Sequence, residues 1–304
     1  MSSCNAVLLF REASKIICTY GERMLASPVP PPEQLYKQRY KNIATCFAAL
    51  RMALCGSYVP FGVFWLYGDT CLQNILRMFV KMFMSISEQD FHSYSKITQH
   101  FYSLLENIAQ DNICFLSNVE PEVFGTILRY IQHGVISIDT SVVSASCSTL
   151  DGILNYLYRR LTRPTSGRTH VGSEPEGDGC IRILEAQPEL LSTLLSVMFQ
   201  SIIYDDIKCQ WSMSRPLLGL ILIQEDFFQQ WKIDFLNQQS DAKRALFEEA
   251  FGSLMSGVER NLSTRNKDIF TQNLSIFRRT VNDILKGTVL PTLPPVASVS
   301  DMMS

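Results

Sequence analysis

Histidine is scarce in this chain: four residues, at positions 92, 100, 133 and 170, in a sequence of 304. An enzyme of this size ordinarily converges His, Cys, Asp, Glu or Lys around a pocket, and such a set does not emerge here. His92 and His100 are eight apart and read as lying on a similar helix side. No Cys or carboxylate is read as flanking them at ligand spacing, so surface or helix-packing histidines are expected. His133 and His170 read as isolated.

The nucleophile motif G-x-S-x-G, the phosphate-binding P-loop and the dinucleotide fingerprint G-x-G-x-x-G are all missing. Asp205-Asp206 puts two carboxylates side by side, but adjacent residues project in different directions, so helix-end solvation is the commoner explanation. Gly177-Asp178-Gly179 reads as a turn. The expectation is a protein that is not an enzyme, with no catalytic, cofactor-binding or metal-binding residues to assign and its protein-binding residues unknown.

Charge is also sparse. Charged residues make up 18% of the chain and the net charge is -2, which supplies no dense positive field to displace counterions from phosphate. Nucleic acid is therefore not an expected partner. Long apolar runs are absent too: Leu217 to Ile223 falls far short of the ~20 residues that span a bilayer, and Lys81 interrupts Met78 to Met84. Near the start, Arg11 and Glu12 cut off Ala6 to Phe10 before it forms a signal-peptide core. A soluble chain without membrane insertion is expected.

The nine cysteines contain no C-x-x-C and no framework spacing. Cys46, Cys55, Cys71 and Cys147 stand among apolar neighbours, as small buried hydrophobes do. Reduced thiols in cytoplasm or nucleus follow. β alternation is missing as well, and this decides the fold class.

What the chain has is helical rhythm. Tyr36, Tyr40, Ile43, Phe47, Leu50 and Leu54 recur at steps of three and four, one face of a helix. Cys71, Leu72, Ile75, Leu76, Phe79, Val80 and Phe83 form a double row wide enough to be covered from two sides, and Leu190 to Ile203 repeats the device. Further helical patterns run from Phe101 to Ile108, Cys147 to Leu161 and Leu274 to Ile284. Pro121 and Pro188 suit first-turn positions, and Pro28 to Pro32 closes the first helix.

About eleven or twelve helices result, which at roughly 40 to 47 residues per pair suits six or so HEAT-type repeats. The expected fold is all-α, an α-solenoid of antiparallel helix pairs over 1–286, with a mobile loop at about 162–179 and a flexible tail at 287–304. Two basic stretches hint at an acidic protein partner. Arg260, Arg265, Lys267, Arg278, Arg279 and Lys286 outnumber the acids between Glu259 and Lys286, and Arg159, Arg160, Arg163 and Arg168 cluster at the loop. A solvated helix face and a solubilising loop are the commoner explanations.

Four blocks carry more than pattern: Trp211 to Leu222 (WSMSRPLLGLIL), Gly56 to Asp69 (GSYVPFGVFWLYGD), Phe270 to Asp283 and the final Asp301 to Ser304. On these the chain resembles the C-terminal region of exportin-type members of the importin-β-like karyopherin family, from near Leu8 to the last residue. The proline-rich tail tilts the likeness toward the Ran-binding branch.

The resemblance implies a HEAT-type superhelix that works in nucleocytoplasmic transport, in cytoplasm and nucleus and at the nuclear pore complex. Its implied partners are the GTPase Ran, cargo proteins and nucleoporins, and no cofactor is implied. Family members are much longer, and their N-terminal repeats, the principal Ran-binding surface, have no counterpart here, which suggests a fragment or short isoform. Leu8, Leu9, Ile16, Ile17 and Tyr20 would then leave an uncovered apolar edge on the first helix, prone to self-association.

Overall fold

The computed structural model describes residues 4–55, 59–162, 179–204 and 209–287. Among them no strand occurs, and the helices gather into two compact units that divide between Val197 and Met198. None of the helices is long and apolar enough to cross a membrane.

The first unit contains α1 (Cys4–Ala26), α2 (Pro32–Leu35), α3 (Lys41–Leu54), α4 (Gly62–Leu66), α5 (Cys71–Met84), α6 (Glu88–Ser93) and α7 (Ser95–Asp111). It continues through α8 (Ile113–Ser117), α9 (Pro121–Val135), α10 (Thr140–Leu161) and α11 (Gly179–Ala186), and α12 (Glu189–Tyr204) runs across the division. A π-helical turn, Tyr36–Tyr40, joins α2 to α3.

Local chemistry sets many of these boundaries. Pro121 opens α9, where its missing N–H has no intrahelical role, and His133 lies in the last turn, where the helix dipole favours positive charge. Ser87 caps α6 by accepting from the Asp90 N–H, and Asp139 caps α10 by accepting from the Ser141 N–H. Pro188 immediately precedes α12 instead of sitting inside its first turn. Gly179, read as part of a turn, is the first residue of α11. Thr162, at the start of the expected mobile loop, is the C-cap of α10. Residues 163–178, with Arg163, Arg168 and His170, lie outside the described residues, as do Asp205, Asp206 and the tail from 288.

The long helices form two layers. α3 packs on α7 and α7 on α10. They run in one direction: Tyr40 meets Tyr94 and Phe47 meets Phe101, while Gln99 donates to Asp139 (2.8 Å) and Gln110 to Ser148 (3.0 Å). Those last bonds join residues 40 and 38 apart, the length of one HEAT-type helix pair. In the other layer α1 lies on α5 and α9 on α11. The α9–α10 link, residues 136–139, is short enough that the chain must double back.

Aromatic rings fill the space between layers. Phe83 stacks on Phe101 with centroids 4.5 Å apart, Phe91 meets Phe101 edge-on at 5.1 Å, and Phe47 meets Phe79 at 5.3 Å. All five are fully buried. Burying each contributes roughly 1.5–3 kcal/mol, and paired ring geometry adds about 0.5–1.5 kcal/mol.

The second unit contains α13 (Gln210–Ile223), α14 (Glu225–Asn237), α15 (Asp241–Leu254) and α16 (Thr264–Lys286). α16 packs against α13 and α15 and runs antiparallel to both. Gln210 donates to Ser275 whereas Arg215 pairs with Asp268, and Asn273 donates to the Leu254 carbonyl whereas Phe251 meets Phe277. Phe199, Phe228, Trp231, Phe235 and Phe251 stack as the second aromatic core. Buried Asn266 fastens the preceding turn to α16 by donating to the carbonyls of Glu259 (2.7 Å) and Asn261 (2.6 Å) and accepting from the Glu259 N–H. Gly287 ends α16 at φ 70°, a left-handed cap that suits glycine.

The thiols divide. Cys46, Cys147 and Cys180 are buried, and burial pushes the Cys46 thiol up to about 11. Cys55 is exposed, against expectation: it caps the C-terminus of α3 in extended conformation, so its side chain leaves the helix face that Leu50 and Leu54 bury.

Candidate functional site

The face of α1 opposite its buried stripe is a candidate surface. The inward stripe, Phe10, Ser14, Ile17 and Gly21, is buried, whereas Leu9 and Ile16 on the opposite side are 66% and 69% exposed. Of the residues expected to form an apolar edge, Leu8, Leu9, Ile16 and Tyr20 are exposed and Ile17 is not. Between this face and the turn before α3 lies a groove of about 810 Å³. Arg23, Arg39 and Lys15, the last ion-paired with Glu12, supply its charge, and Ile16, Tyr20 and Met24 supply apolar wall. No carboxylate is among the described residues that line it.

Arg39 is the unusual member. It sits in the π turn, is only 8% exposed, and its Nε has no hydrogen-bond partner among the described residues. A buried guanidinium donor left unmatched costs free energy. The groove thus combines apolar wall and positive charge. Arg39 lies between the apolar positions Tyr36 and Tyr40 of the helix face read from periodicity and is not part of that face.

The basic stretch between Glu259 and Lys286 is not one patch. Arg260 forms an ion pair with Glu225, Lys267 is buried, and Arg278 donates to Gln210 (3.0 Å). Arg265, Arg279 and Lys286 remain on the outer face of α16 beside exposed Ile276. Of the loop arginines, Arg159 donates to the carbonyl of its own helix at Asn155.

Two of the blocks that carry the family likeness meet in one seam. From α13, Gln210, Ser214 and Arg215 face Ser275, Thr271 and Asp268 of α16. Pro216 interrupts α13 internally and is buried with Leu217, Leu218, Gly219 and Leu220, so this block is packed on nearly every side. From a third block, Asp69 accepts from Arg11 of α1 and from the Cys71 N–H, and these bonds hold its carboxyl below the usual carboxylate range.

The histidines are arranged differently from their reading as residues of a shared helix side. His92 belongs to α6 and His100 to α7, with the helix broken at Tyr94 in extended conformation. His133 is not isolated: its ring lies 5.0 Å from that of His92, and its Nε2 is 3.6 Å from Glu88 Oε1. Burial against its neighbours, and then the adjacent His133, lower the His92 pKa. Contrary to the expectation of no flanking carboxylate, Glu88 precedes His92 by one helical turn, a ligand spacing present in the sequence.

Among the described residues the stacked helices without strands define an all-α protein of helical-solenoid class. The comparisons agree with that class. Exportin-7-B of Xenopus laevis is 45% identical over 289 residues, covering 95% of this chain and 26% of that protein. Ran-binding protein 17 of Homo sapiens is 42% identical over 288 residues, 94% of this chain and 26% of that protein. Ran-binding protein 16 of Drosophila melanogaster is 38% identical over 291 residues, 95% and 26%.

The chain therefore spans about a quarter of the length of the curated relatives it matches. Its homologues carry both Exportin-7 and Ran-binding names at similar identity, so the tail's tilt toward the Ran-binding branch does not separate them. No family model and no solved structure matches.

Proposed function

We propose that this chain is a partner-binding segment of a Ran-dependent nuclear transport receptor of exportin type, working without catalysis. The observation that carries the reading is 45% identity to Exportin-7-B across 95% of the chain. Its partners are cargo proteins, nucleoporins and Ran, and its compartments are nucleus and cytoplasm with passage through the nuclear pore complex. The groove between α1 and α3 supports protein contact, because its charge is of one sign and its walls are apolar; the partner segment it suits is acidic with apolar side chains.

Retention of GTP-loaded over GDP-loaded Ran on the immobilised chain tests the reading. Nucleotide-dependent retention supports the transport assignment. Equal retention of both forms, or of neither, with cargo still bound, supports a helical scaffold or regulatory protein that transports nothing.

A further inference from the structure

Three side chains that the transport reading does not use converge on one point of the surface. Glu88 and His92 are one turn apart on α6, and His133 comes from the last turn of α9. One donor atom from each lies within 4.8 Å of the other two. Imidazole and carboxylate donors about a tetrahedral zinc ion at 2.0–2.1 Å would be separated by about 3.3 Å. The remaining closure falls to side-chain torsions of Glu88 and His133, which are exposed, about a His92 ring seated on its aromatic neighbours.

The surroundings hold the His92 imidazole in place. His92 stacks on the Tyr130 ring with a 14° interplanar angle and meets Phe91 edge-on, and both of those rings belong to the interlayer core. His133 stands on α9 one turn after Tyr130, whose carbonyl accepts from the Tyr102 hydroxyl. The helices that present the ligands are therefore fastened to each other by the aromatic core, so a metal would find them partly assembled.

We propose that Glu88, His92 and His133 form a site for a divalent transition-metal ion of the zinc class, with an open position toward solvent. Two imidazoles and one carboxylate match zinc's preference for N and O donors, and three protein ligands leave the fourth position to water or to a partner's side chain. Bound there, the ion would tie α6, the link between α5 and α7, to the end of α9.

The test is calorimetric titration of zinc chloride alone into the chelator-stripped full chain. The comparisons are His92→Ala, His133→Ala, the exposed Glu88→Gln, and His100→Ala as a control outside the cluster. One site in the wild type and in His100→Ala, weakened at least tenfold in both His92→Ala and His133→Ala, is the expected result. Thiol-held zinc persists in every variant and is subtracted with the His92→Ala/His133→Ala chain. Thermal unfolding gives a second readout: zinc raises the midpoint of the wild type and of His100→Ala but not of the double variant. Zinc binding that is equal in wild type and double variant, or absent at millimolar zinc, overturns the proposal. Should an alanine variant fail to fold, a tenfold loss in Glu88→Gln supports the site and unchanged affinity there overturns it.

Discussion

Ser214 and Thr271 meet hydroxyl to hydroxyl at 2.7 Å across the buried α13–α16 seam. Ser214 also reaches the Trp211 carbonyl and Thr271 the Lys267 carbonyl. Two hydroxyl protons serve three bonds, so one hydroxyl must donate across the seam while the other donates within its helix. Ser214→Ala and Thr271→Val should each destabilise by about 1–3 kcal/mol, because each leaves a buried partner short. The double variant should cost less than the sum, with a coupling of at least ~0.5 kcal/mol in a denaturant double-mutant cycle.

Gly134 of α9 lies under the Tyr102 ring, where an added Cβ would come within 2.8 Å of Cε1 and would also collide with Ser146 Oγ. Alanine normally gains about 1 kcal/mol over glycine in a helix. Here overpacking of about 1–3 kcal/mol opposes it. Gly134→Ala should therefore lower the urea midpoint, whereas Gly252→Ala, at an open helical position, should raise it.

Asp139 accepts from Gln99 of α7 and from Ser141 at the start of α10, and these bonds, Gln99 first, lower its carboxyl to about 2. A depressed carboxylate contributes stability above its unfolded pKa of ~3.9 and loses it as pH falls toward the folded value. Asp139→Ala should cost about 0.5–2 kcal/mol at pH 7. The gap between wild type and variant should narrow below pH ~4 and be smallest near pH ~2, as urea titrations at stepped pH would record.

Leu9 and Ile16 occupy the exposed side of α1 beside the basic groove. The double change Leu9→Glu/Ile16→Glu should reduce hydrophobic-dye fluorescence and shift any concentration-dependent sedimentation toward the monomer. Secondary structure should stay unchanged, since neither side chain is buried. Equal dye binding before and after would remove self-association through this edge.

Much of the architecture was legible because long helices repeat their apolar spacing over several turns. Among the described residues eleven helices have thirteen residues or more, within the eleven or twelve read from periodicity. α2, α4, α6, α8 and α11, of four to eight residues, complete too few turns to show a period. The functional surface was less legible. The convergence of His133 on Glu88 and His92 depends on α9 docking beside α6, and Arg39 is buried by the path of the chain rather than by its neighbours in sequence.

The π turn at Tyr36–Tyr40 carries a consequence for how this chain changes over time. The Lys41 N–H reaches back to the Tyr36 carbonyl, five residues before it, so the turn accommodates one residue beyond an α-helical count. Tyr36 stacks on Tyr94 on one side of that extra residue, and Ile43, Phe47 and Leu50 keep their buried register on the other. Loss of exposed Gln38 would let the segment close into ordinary helix while α3 keeps its seat against α7. A one-residue change in chain length here is thus absorbed within the turn and leaves the buried face of α3 in register.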